Sequence, residues 1–182
     1  MSRRHVIPSV ARDLGGGLLL FSLLVLAACG YALVGRGVNL PEDVREVYIK
    51  PLDNRTPRSQ VEQFLTRAIA EELVTRRRFA VVGNAEGADA ELSGAVVGFS
   101  VTPVSFDDTG RATEYEISIV AQVAFKRIAD EAVLWSNDRY VFRQSYPVDV
   151  SEAGFFDRED QAIEEAAERF AETMVSDLLE GF

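Results

Sequence analysis

Thr113-Glu114-Tyr115-Glu116-Ile117-Ser118-Ile119-Val120-Ala121-Gln122-Val123-Ala124-Phe125-Lys126 changes character at every second residue. Tyr115, Ile117, Ile119, Ala121, Val123 and Phe125 share one parity; Glu114, Glu116, Ser118, Val120, Gln122 and Lys126 share the other. A period of two is the signature of a strand with one apolar face and one mixed face. Before it stands Asp107-Asp108-Thr109-Gly110, a strong turn signal. Ahead of that turn the pattern is again β from Glu91, with Val97, Phe99 and Val101 assigned to one face and Gly94 and Gly98 to the other. Pro103 is expected to end regular pairing there. After the central strand, Ala129-Asp130-Glu131 makes a second turn into a strand from Val133 to about Gln144, containing Trp135, Tyr140 and Phe142. Two consecutive hairpins predict an antiparallel meander.

Helical periodicity flanks the meander. Val61, Phe64, Leu65, Ala68, Ile69 and Leu73 recur at helical spacing to about Thr75. Two start signals compete, Thr56 before Pro57 and the Ser59/Glu62 capping box, and either places the start near residue 58. Arg76, Arg77 and Arg78 stand at the C-terminal end, where cations complement the helix dipole. Upstream, Val44 to Lys50 reads as a strand and Pro51 to Pro57 as a loop. Phe79 to Val82 reads as a short strand or strand extension, and Ala85 to Asp89 as a turn-rich connection. After a loop from Pro147 to Phe156, a last helix is expected near Asp157, with Glu159 and Asp160 in its first turn. Ile163, Ala166, Ala167, Phe170, Met174, Val175 and Leu178 form its stripe, and Gly181 its stop. The expected fold is α+β: a two-layer sandwich with both helices on one face of a mostly antiparallel sheet, in the order strand-helix-strand-strand-strand-helix.

The N-terminus has the three parts of an export signal. Arg3, Arg4 and Arg12 are basic, Leu14 to Leu26 is apolar, and Ala27 and Ala28 are small. The apolar stretch is short of the about 20 residues that span a bilayer. Leu26-Ala27-Ala28-Cys29 matches the bacterial lipobox, in which the cysteine thiol receives a diacylglycerol and the amine freed by cleavage a third chain. The alternative is an ordinary secretory signal before an unrelated cysteine. Several acyl chains, each contributing about 0.8 kcal/mol per buried methylene, would make a stable anchor. The expected organisation is a signal peptide over 1–28, a lipidated tether over 29–41 and one domain over 42–182.

Composition narrows the chemistry. The chain has 19 basic and 29 acidic residues. Removing the signal takes three arginines and Asp13, leaving 16 basic against 28 acidic and a net charge of −12. Nucleic acid is not an expected partner, because phosphate binding needs clustered Lys and Arg. The only histidine, His5, leaves with the signal, and Cys29 is the only cysteine. The mature chain therefore has no intradomain disulfide, no His-based acid–base chemistry and no Cys/His metal site, although carboxylate-only sites remain possible in principle. No phosphate loop or dinucleotide fingerprint is present, so no cofactor is expected. Glu114 and Glu116 are read as a solvated or partner-facing sheet face, because no activated nucleophile or metal ligand set accompanies them. Asp107 and Asp108 are read as turn formers, Arg76 to Arg78 as helix-end charges, and Trp135 and Tyr140 as core or interface aromatics. Neither a catalytic residue nor a metal ligand is assigned.

Several stretches in order resemble the LptE family of LPS-assembly lipoproteins. They are the Cys29-Gly30-Tyr31 start, Ile49-Lys50-Pro51-Leu52-Asp53-Asn54-Arg55-Thr56, Leu65-Thr66-Arg67-Ala68-Ile69, Ala88-Asp89-Ala90-Glu91-Leu92-Ser93-Gly94 and Ala112-Thr113-Glu114-Tyr115-Glu116-Ile117. The resemblance implies a two-layer α/β fold and lipid attachment at the periplasmic face of the outer membrane. The partner it implies is the β-barrel LPS translocon LptD, in which such a lipoprotein sits as a plug, supports barrel assembly and contacts lipopolysaccharide. Gly30 after Cys29, with no Asp there, fits outer-membrane retention by the same resemblance. Relatives tend to carry a basic residue at the turn between the long strands. Here that turn holds Asp107 and Asp108, with Arg111 just beyond, and Arg111 is the candidate lipopolysaccharide contact. The alternative is a periplasmic lipoprotein that activates a peptidoglycan synthase. Those proteins usually carry a long disordered tether; only about a dozen residues separate Cys29 from the first strand here, which favours a partner in the same membrane.

Overall fold

A computed structural model of the chain describes residues 40–148 and 155–181. The signal reading of residues 1–28, the lipidated Cys29 and the tether as far as residue 39 lie outside the described residues. The elements are β1 (Glu46–Ile49), β2 (Asp53–Asn54), α1 (Val61–Arg76), β3 (Ala80–Val82), β4 (Ala90–Phe106), β5 (Ala112–Arg127), β6 (Val133–Pro147) and α2 (Phe155–Glu180). They form the expected two-layer α+β arrangement. The sheet runs β3-β1-β4-β5-β6, with β2 also paired to β4.

The sheet is mostly antiparallel, as expected, with parallel pairing where β1, β2 and β3 join it. The three long strands make the predicted meander, β4 with β5 and β5 with β6. β1 pairs in parallel with both β3 and β4. Parallel strands cannot be joined by a tight hairpin, and α1 supplies the crossover between β1 and β3. β2 lies in the stretch expected to be a loop: Asp53 and Asn54 pair in parallel with Ala95 and Val96. Pro51 and polar residues hid that pairing from a pattern based on β-branched content.

Three local expectations are corrected. Neither start signal caps α1. Its N-cap is Gln60, in the left-handed region at φ 68° and without a side-chain cap bond. The Glu62 carboxylate accepts from Asn54 Nδ2 at 2.7 Å, and the Thr56 hydroxyl is engaged at Asn54 Oδ1. α2 begins at Phe155, so Glu159 and Asp160 fall beyond its first turn; both pair with Arg58, at 2.9 and 2.6 Å. Finally, β4 does not stop at Pro103 but runs on to Phe106, with register shifts on either side of Ser105.

A bulge sets the faces of β4. Leu92 and Val96 oppose Phe125 and Ala121; after a shift between Val96 and Gly98, Phe99 and Val101 oppose Ile119 and Ile117. The extra residue, Val97, lets even positions before it and odd positions after it face the helices. Phe99 and Val101 therefore share the helix-side face as expected. Gly94, paired with Val123, is also on that side rather than opposite it.

Both helical stripes dock where periodicity placed them. Val61, Leu65, Ile69 and Leu73 of α1 are buried, as are Ile163, Ala166, Phe170, Met174 and Leu178 of α2, against Ile117, Ile119 and Phe125 of β5. Phe64 is only partly buried. Each large side chain buried contributes about 1.5–3 kcal/mol. The surface pairs that cross between α1 and α2, such as Arg67 with Glu164, add at most about 1 kcal/mol each. Apolar burial, not charge, therefore fixes the helix layer on the sheet.

Candidate functional site

The helices cover one side of the sheet, and no described element covers the other. Its centre is polar. On β5 it presents Glu114, Glu116, Ser118 and Gln122; Ser100 and Thr102 on β4 and Arg143 and Ser145 on β6 stand opposite them. Arg143 Nε lies 3.7 Å from Glu116 Oε1, with 63% and 33% of the two side chains exposed. Val120 and Val141 form an apolar pair among these groups, with Val141 40% exposed. Charge divides between the layers. α2 carries nine acidic and two basic residues, whereas β4, β5 and β6 together carry four of each. The open face is close to neutral while the helix layer is strongly acidic.

The β4–β5 hairpin ends this face. Asp107 Oδ1 accepts from the Thr109 N–H at 2.8 Å, the Thr109 hydroxyl at 2.6 Å and the Arg111 N–H at 3.0 Å. Those donors, the Thr109 hydroxyl foremost, hold the Asp107 carboxyl below the usual carboxylate range. Gly110 takes φ +80°, which a side chain would resist, and its N–H bonds the Asp107 carbonyl at 2.9 Å. Asp107 is thus the builder of the turn. Arg111 is held at the tip through its backbone and is exposed. Sequence reading missed two neighbours: Val104 and Phe106 are 48% and 59% exposed beside the tip. The expectation that pairing ended at Pro103 concealed them.

The other singled-out residues fall where their plainer readings put them. Arg76 pairs with Glu72 at 2.6 Å and donates to Ser176 at 2.9 Å, Arg77 caps α1, and the Arg78 guanidinium lies 5.3 Å from the Phe79 ring centroid. The three arginines are thus dispersed. Trp135 is buried, and Tyr140 meets Phe170 edge-on at 5.3 Å. The Tyr140 hydroxyl donates to Asp177 at 2.7 Å; burial first, and then that carboxylate, push its phenol above the ordinary range. Glu114 and Glu116 lie on the open face, Glu114 opposite Ser105 and Glu116 opposite Thr102 and Ser145. Among the described residues no group of three or more His, Cys, Asp and Glu could hold a metal ion. No helix among them is long and apolar enough to cross a membrane.

The described domain is thus a helix-backed sheet with one open polar face and a projecting hairpin. The chain belongs to the LptE lipopolysaccharide-assembly family, whose model matches residues 44–178. Comparison with curated protein sequences gives no match. Solved structures share the fold. Protein XCC0632 from Xanthomonas campestris has a TM-score of 0.54 at 13% identity, over 78% of this chain and 88% of that one. A PelC dodecamer from Paraburkholderia phytofirmans has a TM-score of 0.52 at 16% identity, over 79% and 93%. Lipoprotein B from Nitrosomonas europaea has a TM-score of 0.50 at 20% identity, over 82% and 90%. At such identities these likenesses speak for the fold alone.

Proposed function

We propose that this chain is an outer-membrane lipoprotein, cleaved before Cys29 and acylated there, that plugs the β-barrel LPS translocon LptD. In this reading it supports barrel assembly and the insertion of lipopolysaccharide at the outer membrane. The observation that carries the reading is the family match across nearly the whole described domain. The open sheet face supports it physically: a near-neutral surface of Ser, Thr, Gln and balanced charges suits the polar interior of a membrane β-barrel. The hairpin tip, with Arg111 as its cation and Phe106 and Val104 beside it, is the proposed lipopolysaccharide contact. A phosphorylated, acylated ligand calls for that pairing of a cation with apolar surface.

Photo-crosslinkers at Ser118, Gln122 and Thr109 test the orientation. In envelopes they should capture a large β-barrel, identified by mass spectrometry, and Glu164 on the helix layer should do so much less. Equal capture from every position, or capture only from the helices, would reverse the orientation. Capture of a peptidoglycan synthase instead would support the alternative function.

A further inference from the structure

The chain steps from β1 to β2 through Lys50–Leu52, and the step leaves a hollow of about 330 Å³ on the open face. Its floor includes Ser93, Ala95 and Ala124. Ala95 is only 3% exposed although it pairs with the exposed Gln122 on the open side. Lys50, Asp53 and Arg55 stand on one side of this floor, and Asp138 of β6 on the other.

The charges of the hollow differ from those of the helix layer. Arg58, Arg67, Arg76 and Arg169 each have a carboxylate within ion-pair distance. Lys50, Asp53, Arg55 and Asp138 are exposed, and none of them is in an ion pair among the described residues. Two cations and two carboxylates therefore face one hollow with their hydrogen-bonding capacity turned to solvent. A divalent cation would meet Lys50 and Arg55, and a phosphate would meet Asp53 and Asp138, so a ligand of one sign is opposed by half the site. A ligand carrying both signs is complementary to all four groups. The small floor admits a peptide backbone against the sheet, where larger side chains would hold it off.

We infer that this hollow seats a loop of the barrel partner, a polypeptide segment whose acidic side chain meets Lys50 and Arg55 and whose basic side chain meets Asp53 and Asp138. The inference rests on the barrel-plug reading and deepens it. The test uses the full lipidated chain in envelopes, with a photo-crosslinker at Ala124 in the hollow and another at Ser100 on the open face outside it. Ala124 should crosslink to a peptide of the barrel. The double variants Lys50→Glu/Arg55→Glu and Asp53→Lys/Asp138→Lys should each lower that yield by roughly fivefold or more, while the Ser100 crosslink persists. All four residues are exposed, and an unchanged melting temperature would show that the variants fold. Barrel capture from Ser100 but not Ala124 would overturn the hollow as a seat and leave the plug reading standing. Capture from neither position would remove the plug reading itself. An Ala124 crosslink to lipopolysaccharide, or a yield indifferent to both charge reversals, would also overturn the inference.

Discussion

Asn54 engages its whole side-chain amide. Nδ2 donates to the Arg58 carbonyl and to Glu62 Oε2, both at 2.7 Å; Oδ1 accepts from the Thr56 N–H and hydroxyl, both at 2.8 Å. Nearby, Thr66 Oγ1 accepts from the Leu52 N–H at 3.1 Å and donates to the Glu62 carbonyl at 2.6 Å. Two of the stretches that resemble the family therefore meet at one corner, where they tie β2 to α1. Asn54→Ala should cost about 1–3 kcal/mol, a thermal melt lowered by several degrees. Asn54→Asp should not rescue it, because a carboxylate cannot donate and would face Glu62. Asp89 does a related task near the start of another such stretch. Its Oδ2 accepts from the Arg45 and Glu46 N–H groups at 2.8 and 2.9 Å, which pins the start of β1. Those bonds, Glu46 first and then Arg45, hold its carboxyl below the ordinary range. A depressed folded-state pKa adds stability that is fully present above the unfolded value, 3.8, and is lost as pH falls through the folded value. Asp89→Asn should thus melt lower than the parent at neutral pH, and the difference should shrink as the pH is taken below 3.8. A gap constant across an acid titration would mean the carboxylate charge is not what matters.

At the scale of elements, Phe170 joins α2 to the sheet. It is fully buried and meets Tyr140 and Phe142 edge-on at 5.3 and 6.0 Å. Phe170→Ala should destabilise by about 3–5 kcal/mol, read as a lower midpoint in urea; a midpoint within error would mean α2 does not dock there. Gly94 marks a tight approach within the β4–β5 pair. A Cβ added there would fall 2.1 Å from the Gln122 carbonyl oxygen and 3.2 Å from Leu52 Cδ2. Gly94→Ala should therefore destabilise more than Ala95→Gly, because backbone must move to relieve the clash. These two elements show what was legible in the sequence. The α2 stripe and the Tyr115–Phe125 alternation were readable because long amphipathic runs repeat one period many times. β2 was not: two polar residues after a proline carry no period, and only the backbone of β4 makes them a strand. The Val97 bulge was illegible for a similar reason, since one inserted residue inverts the parity on which face assignment depends. The candidate site was half legible. The polar parity of β5 and the turn at Asp107 were readable, but the hollow needs Asp138 brought across from β6.

For the whole molecule, the proposed function divides attachment between the lipid and the domain. From Cys29 to Leu40, the first described residue, is 11 residues, which reach at most about 40 Å when extended. β5 alone, at 16 residues, spans about 50 Å. If Cys29 is acylated as proposed, the domain is confined to a layer no thicker than itself beside its membrane, where the proposed barrel partner would also lie. Confinement of that kind raises the effective concentration of the two surfaces without adding a contact between them. The contacts themselves would come from the open face and the hairpin, which are built without the lipid. Acylation should therefore speed and strengthen association but not be required for it. In a Cys29→Ala chain exported behind an ordinary secretory signal, the domain should appear soluble in the periplasm with the parent's melting temperature. It should still co-purify with the barrel, at reduced yield, and raising its expression should restore the yield. Complete loss of association from a folded, well-expressed domain would show that the lipid supplies the attachment, and a domain enclosed by its partner would then be untenable.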